Sequence, residues 1–534
     1  MRHGIGPADA SAQPTAVVTS TIALSRAFVS SAQIPSTECA RGVTGPRMSA
    51  AMSAIWSESS VVIVLDAKSY HRLQEDLFMQ TLSLPALLAL FLVGAALIVV
   101  IASRIRTIHL ALGFATTALM WVLAYIALLA PGLWIGEALF VATLAVVVAF
   151  GALARRAGAV PFKVGLVSAF ANLLVLGAFL RGGDSQWTPV IYAIGLFAAS
   201  GGLAWLGGRL ALRARPLQLP TNSSLFAVVA ALTVFILLIT GGLVTGLESG
   251  LTVPDWPNSF GHNMLLYPIS EMTGGIKYEH AHRLFGMLVG TTALVLVTVV
   301  VRDDRRASVR AAAVAFLVIV CVQGLLGGLR VTGTLTNATS GAELSPSTLL
   351  AIVHGMFGQI VFAVACVIAC VTSAKWKDAI PGANIQDAQR LRTLPVLLAA
   401  ALLGQLFLGA SYRHLQIPPL DGAPAVHPAW PIWGHIAGAC VILVLAVITG
   451  AHASSRAREI KPVRILGKGL VHTVGLQVVL GIAALVVVII RADENIPNYE
   501  VLVTTAHQAL GALLLAMVCM LAVLSRRLIA SPIT

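Results

Sequence analysis

Residues 281–301 read AHRLFGMLVGTTALVLVTVVV. A histidine and an arginine stand at one end, and the rest is an uncharged apolar run. A helix of roughly 20 such residues crosses a hydrocarbon core about 30 Å thick. From Leu82 onward the chain is a series of thirteen runs of this length. The first five cover about 83–103, 108–130, 133–154, 160–180 and 188–212. The next eight cover about 223–247, 281–301, 308–331, 348–373, 393–412, 431–452, 466–490 and 503–525. Composition agrees: 57% of the 534 residues are hydrophobic and only 11% are charged, with a mean hydropathy of +0.89. A soluble protein of this size needs more charge to cover its surface. The expected fold class is an all-α polytopic membrane protein.

The net charge of +13 does not point to nucleic acid, and none is expected as a partner, because the Lys and Arg residues sit mostly in short loops. Arg104 and Arg106, Arg155 and Arg156, Arg213 and Arg215, Arg302 to Arg310, Lys375 to Arg392, Arg456 to Arg464, and Arg526 with Arg527 fall on one side, in every second loop. The positive-inside rule makes that side cytoplasmic. The C-terminus then lies inside and, with thirteen spans, the N-terminus outside. Residues 1 to about 80 are rich in Ser, Thr and Ala, and their one apolar run, Val61 to Leu65, is too short to span. They are either a flexible tail or a segment ahead of a later true start, for instance at Met79. The organisation expected is a tail over 1–80, five extra helices over 81–215, and two four-helix halves over 220–375 and 390–530.

Within those halves the sequence repeats. His282, His354, His435 and His507 lie near the outer ends of the second, fourth, sixth and eighth helices. His282 and His354 are 72 positions apart, as are His435 and His507, and the halves are offset by 153. An even number of helices in the offset makes the repeats parallel, related by an axis along the membrane normal. Gln-x-x-Leu-Gly recurs at Gln323, Gln405 and Gln477, in the helices that precede three of the four histidines. A polar side chain inside a span is costly and marks a site. Two imidazoles at equal depth on facing helices present two axial nitrogens, the arrangement of a bis-histidine haem. Around them Ala281, Gly286, Gly355, Gly358, Gly434, Ala437, Gly438, Ala506 and Gly511 leave space for a flat macrocycle or for close helix packing. The alternative is that each histidine only hydrogen-bonds a neighbouring helix. His109, His262, His280, His414, His427, His452 and His472 stand outside the repeat and are expected in loop, interface or packing roles.

The loop segment Ser249-Gly250-Leu251-Thr252-Val253-Pro254-Asp255-Trp256-Pro257 resembles the first outer loop of the haem A synthases. Tyr278-Glu279-His280-Ala281-His282-Arg283 is similar to their Glu-x-x-His-Arg signature. Leu326-Gly327-Gly328-Leu329-Arg330-Val331-Thr332 and the contexts of His354, His435 and His507 are similar as well. The resemblance runs from about Leu225 to Arg527. It implies oxidation of the C8 methyl group of haem O to the formyl group of haem A, for terminal oxidases. It also implies that His282 and His354 bracket the haem O or haem A iron, while His435 and His507 hold a haem b that serves electron transfer. The setting implied is a cell inner membrane, with the histidine ends on the periplasmic side. A haem O synthase would supply the substrate, membrane lipid surrounds the chain, the electron donor is unidentified, and homo-oligomerisation is left open. Some members carry a cysteine pair in the first outer loop; residues 248–279 contain none. The five extra helices lie outside the resemblance.

Glu279 stands three residues before His282, on the same helical face. There a carboxylate can take a proton or stabilise positive charge on a methyl carbon under oxidation, or it is a solvated charge at headgroup level. The position 153 residues on is Ile432, which does neither. Arg283 either pairs a haem propionate or anchors at the interface. A non-enzymatic dihaem electron carrier explains the same four histidines, and the contrast of Glu279 with Ile432 favours the enzyme. A transporter is disfavoured by the low charge of the spans and the absence of a Pro-broken helix pair. Of six cysteines, all but Cys39 lie in apolar stretches, where they are expected to pack between helices.

Overall fold

The computed structural model describes residues 53–57, 60–64, 84–130, 132–180, 187–220, 223–333, 347–378, 387–415, 427–491 and 496–529. Most of the expected tail, with Met79 and Cys39, lies outside the described residues. The chain divides into two units, Met1–Leu82 and Ser83–Thr534. In the first, β1 (Ser53–Ser57) pairs antiparallel with β2 (Ser60–Val64). The apolar run noted at Val61 is thus a strand, as its β-branched Val61, Val62, Ile63 and Val64 favour.

The second unit is helical. Its first five long helices are α1 (Leu84–Arg104), α2 (Thr107–Leu129), α3 (Leu133–Arg156), α4 (Pro161–Leu180) and α5 (Thr188–Leu210). Then come α6 (Ser223–Gly246), α7 (Ile276–Asp303), α8 (Ala307–Val331) and α9 (Thr348–Thr372). The last four are α10 (Ala388–His414), α11 (Ala429–Arg456), α12 (Lys461–Ile489) and α13 (Asn498–Leu528). Each coincides with one expected run. Several extend further because the helix continues past the apolar stretch into polar residues, as α7 does through Lys277 and Glu279. Among the described residues, eleven helices are long and apolar enough to cross a membrane. Lipid offers no partner for a free peptide group, so spans of this composition close their hydrogen bonds within the helix. Helix α10 continues through Pro395.

Helices α6 to α9 pack in a closed ring, α6 on α7, α7 on α8, α8 on α9 and α9 back on α6. Helices α10 to α13 form a second ring in the same order. The rings meet through α6 on α13, α9 on α13, and α9 on α10. Exchanging the halves maps α6–α13 onto α10–α9, so the contacts between the rings obey the sequence repeat. The extra helices α2 to α5 pack on one another, with α2 against α6 and α7, while α1 lies on α7. Trp121 and Tyr125 of α2 meet Phe285 of α7 edge-on at 5.6 and 5.9 Å, and Phe114 meets Phe226 of α6 at 5.5 Å. Lipid tails are as apolar as these side chains, so shape and dispersion rather than water exclusion hold such seams together. Cys366, Cys370 and Cys519 pack between α9 and α13, whereas Cys321 and Cys440 are exposed on their helices, contrary to the packing role expected of them.

The basic loops gather at one end. Arg302 of α7 donates to the carbonyls of Ala102 and Ile105, which ties the α1–α2 turn to the first ring. Asp304 accepts from Arg306 at 2.6 Å and lies 3.4 Å from Lys377, joining the α7–α8 turn to the segment after α9. The hydrogen bond from Arg306, with its charge and that of Lys377, holds the Asp304 carboxyl well below the usual carboxylate range. Arg306 also donates to the Val371 carbonyl at 2.8 Å.

Within the extra bundle α3 and α5 touch backbone to backbone, because Gly151 faces the Ala204 carbonyl and Gly207 faces the Val148 carbonyl. Any Cβ there drives the helices apart. Gly207→Leu should destabilise this bundle by about 1–3 kcal/mol and lower the melting temperature of the detergent-purified chain. An unchanged melting curve would contradict the contact.

Candidate functional site

Each of the four repeated histidines rests on a glycine of the helix before it. A Cβ added at Gly241 of α6, Gly327 of α8, Gly409 of α10 or Gly481 of α12 would stand 3.0 Å from Cε1 of His282, His354, His435 or His507, respectively. The last three glycines end the Gln-x-x-Leu-Gly motifs, and the glutamines explain the rest of the spacing. One turn below each glycine, the amide of Gln323 donates to the His354 carbonyl at 2.9 Å, Gln405 to the His435 carbonyl at 2.7 Å, and Gln477 to the His507 carbonyl at 3.1 Å. The motif therefore does two jobs: its amide fixes the depth of the histidine-bearing helix, and its glycine leaves room for the Cε1 edge of the imidazole against the neighbouring backbone. His435 Nδ1 is 3.1 Å from the Gln405 carbonyl, which accepts its proton and leaves Nε2 with a lone pair. The Gln323 and Gln477 carbonyls face the other two rings, short of a well-formed hydrogen bond.

Helix α6 has Leu237 where the others have glutamine, and Thr240 takes over. Its hydroxyl donates to the Leu237 carbonyl at 2.9 Å and lies 3.0 Å from His282 Nδ1. With its own proton used, the hydroxyl accepts from Nδ1–H, and Nε2 of His282 is again left with a lone pair.

The rings of His435 and His507 face each other with centroids 6.2 Å apart. Two imidazole nitrogens each about 2 Å from one metal put their ring centres roughly 6 Å apart, so this pair fits a shared axial iron. His282 and His354 lie within electrostatic reach of one another. Among the described residues no group of three or more His, Cys, Asp and Glu side chains is arranged to enclose a metal ion; the ligand arrangement is one of pairs. Three glycines expected to make room for a macrocycle do something else. Gly358, Gly438 and Gly511 receive the side chains of Gln323, Gln405 and Gln477, which need the space to reach the helix backbone. Gly286 and Gly355 do face open space.

The loop between α6 and α7 is folded over the first pair's end of the ring. Asp255 accepts from the amides of Phe260 and Gly261, both at 2.7 Å, closing a small hairpin of β3 (Asn258–Ser259) and β4 (His262–Asn263). Trp256 lies on Gly328 of α8, and Gly250 lies under the guanidinium of Arg330. Glu279 is only 3% exposed, so it is no solvated headgroup charge. Its carboxylate accepts from Arg283 at 2.6 Å and from the Val253 amide at 2.8 Å. Arg283 also donates to the carbonyls of Val253 at 2.8 Å, Asp255 at 2.7 Å and Asn258 at 3.0 Å. Both residues thus hold the loop to α7, with the guanidinium's terminal nitrogens taken up in doing so. His280, one of the histidines outside the repeat, packs on Tyr267 and meets the Ser259 hydroxyl at 3.1 Å.

Arg330 stands apart from this network. It lies within electrostatic reach of Glu279, His282 and His354, and its Nε has no partner. The sequence presented it as part of a motif and gave it no role; an arginine three residues after the histidine-seating glycine was the available signal. Glu500 also escaped notice. It is a buried acid seven residues before His507, bonded to Arg491 at 3.2 Å, with its second oxygen unpartnered. An acid in the first turn of a helix is too common a sight to stand out. The second half therefore has a buried carboxylate of its own, although Ile432 occupies the position equivalent to Glu279. Arg413, at the end of α10, reaches across to Glu248 at 3.6 Å.

Comparison with known families now bears on these residues. Residues 224–418 match the family described as cytochrome oxidase assembly protein. The match likens this stretch of the chain to proteins of cytochrome oxidase assembly. It covers α6 to α10, the first ring and the first helix of the second, and is shorter than the stretch of resemblance noted in the sequence. No curated protein and no solved structure matches the chain.

Gly481→Val, whose branched side chain would press on His507, should weaken haem retention at the second pair about tenfold or more. Gln477→Leu should act in the same direction by letting the helix slide. Visible spectra of the purified variants read the result; full haem content in both would contradict the seating.

Proposed function

We propose that this chain is a haem A synthase, which oxidises the C8 methyl group of haem O to a formyl group. The observation that carries the proposal is the recurrence of one imidazole seat four times, as two pairs, within and beyond a segment matched to cytochrome oxidase assembly. In this proposal His282 and His354 hold the iron of haem O and then of haem A, and His435 and His507 hold a resident haem b. The haem b, when bound, supplies one-electron transfer between the oxidised substrate and an external partner. The chain's own residues account for the rest. The seating glycines fix where the imidazoles stand, and Thr240 sets the tautomer of His282. The loop of residues 247–275 screens the first site from water, and Glu279 and Arg283 keep it closed. Glu279, one turn before His282 on α7, is also the acid proposed to stabilise a methyl carbon that becomes electron-poor, its charge shared with Arg283. Because Arg283 is occupied by the loop, Arg330 is the better-disposed cation for a carboxylate at the substrate's edge, and Arg283 serves through positioning.

The proposal extends to setting. The basic end faces the cytoplasm of a bacterial inner membrane and the histidine ends face the periplasm. Haem O is supplied by a haem O synthase, and an unidentified redox partner exchanges electrons with the second site. The second reading is a non-enzymatic dihaem electron carrier, favoured by the near-identity of the four seats and by the buried Glu500 of the second half.

Pigment extracted from the full chain produced alongside a source of haem O separates the two. The enzyme should yield haem A, and its Glu279→Gln variant should retain haem but form no haem A. Recovery of haem B alone from the wild type would favour the carrier, and normal haem A formation by Glu279→Gln would remove Glu279 from the chemistry. His435→Ala or His507→Ala should remove the stably bound haem b and leave pigment at the first pair. A spectrum unaltered in either variant would contradict the division of roles.

A further inference from the structure

Where the extra helices meet the first ring, a cavity of about 320 Å³ opens at the basic end, among α1, α2, α4, α5 and α7. Its interior is apolar, with Phe114, Phe170, Phe197 and Val295 on its walls. Arg104, Arg106 and Lys163 also line it, all three with exposed side chains. Among the described residues none of the three forms an ion pair. Helices α2 and α4 begin at this end, so the positive ends of two helix dipoles add to the three cations.

His109 lines the same cavity and is 2% exposed. Its Nε2 accepts from the Val160 amide at 3.0 Å. In a neutral imidazole the proton is then on Nδ1, and Nδ1 is buried with no partner. The site therefore combines three cations without ion-pair partners, the starts of two helices and an apolar slot behind them.

We propose that this cavity binds one anionic phospholipid, its phosphate oxygens at Arg104, Arg106 and Lys163 and an acyl chain among the phenylalanines. A lipid is favoured over a soluble anion because the walls behind the cations are apolar, and basic pockets between membrane helices on this side suit anionic headgroups. The occupant wedges the extra bundle against α7. This gives those helices a role in lipid recognition, independent of the haem chemistry proposed above.

The test is native mass spectrometry of the full chain in detergent, titrated with phosphatidylglycerol or with phosphatidylcholine of the same acyl chains. One phosphatidylglycerol should remain bound, with a preference of roughly tenfold or more over phosphatidylcholine. The Arg104→Gln, Arg106→Gln, Lys163→Gln triple variant should lose that preference; the three side chains are exposed, so folding is not at risk. A control that removes three charges elsewhere at the same end (Arg458→Gln, Lys461→Gln, Lys468→Gln) should keep it. Equal binding of the two lipids by the wild type, or equal loss in both variants, would overturn the proposal. So would a retained adduct with the mass of a metalloporphyrin that the first triple variant alone releases.

Discussion

The rest of the structure depends on an imidazole lying against the bare backbone of the helix before it. A side chain at Gly241, Gly327, Gly409 or Gly481 would take the space in which the ring stands. From that contact follows the close approach of consecutive helices near the histidine end of each ring. The facing of the second pair at 6.2 Å and the placing of the ligand nitrogens also rest on it. A lone histidine in a bilayer is expensive. Here the cost is offset at His282 by the Thr240 hydroxyl and at His435 by the Gln405 carbonyl, each at Nδ1, an arrangement that leaves Nε2 with its lone pair.

Repetition and asymmetry divide the work. The rings share a helix order, a glycine seat and, in three of four places, a glutamine that pins the next helix. They differ where the loop between α6 and α7 is bonded to Glu279 and Arg283, where Thr240 bonds the imidazole of His282 in place of a glutamine, and where Arg330 lies near two histidines. The second ring has a buried acid too, Glu500, paired with Arg491 rather than with a covering loop. What distinguishes the halves is thus less the presence of a carboxylate than what the carboxylate is bonded to. An acid that fastens a loop over a pocket controls water access as well as charge.

Much of this was legible in the chain. Hydrocarbon thickness sets the run length and charged loops separate the runs, so the thirteen long helices can be found from the pattern of apolar runs along the chain. Equal spacing of His282 to His354 and His435 to His507 exposed the repeat, and Gln-x-x-Leu-Gly pointed to the helices that serve the histidines. The function of that motif was not legible, because spacing along one helix does not say which neighbour it touches. For the same reason the sequence leaves open whether Gly358, Gly438 and Gly511 make room for a macrocycle or for a neighbouring helix, and the structure shows them making room for glutamine. The commitment of Arg283 to backbone carbonyls of a loop thirty residues upstream is a tertiary fact. A cavity lined by five helices, with His109 at its edge, also has no signature in any single stretch.

The central claim is that two imidazoles share each iron. The most direct measurement is pulsed electron paramagnetic resonance of the oxidised full chain, with its histidines labelled by heavy nitrogen. The account predicts low-spin iron coupled to two labelled axial nitrogens. Iron coupled to one histidine nitrogen or none, in a folded and membrane-inserted preparation, would contradict it.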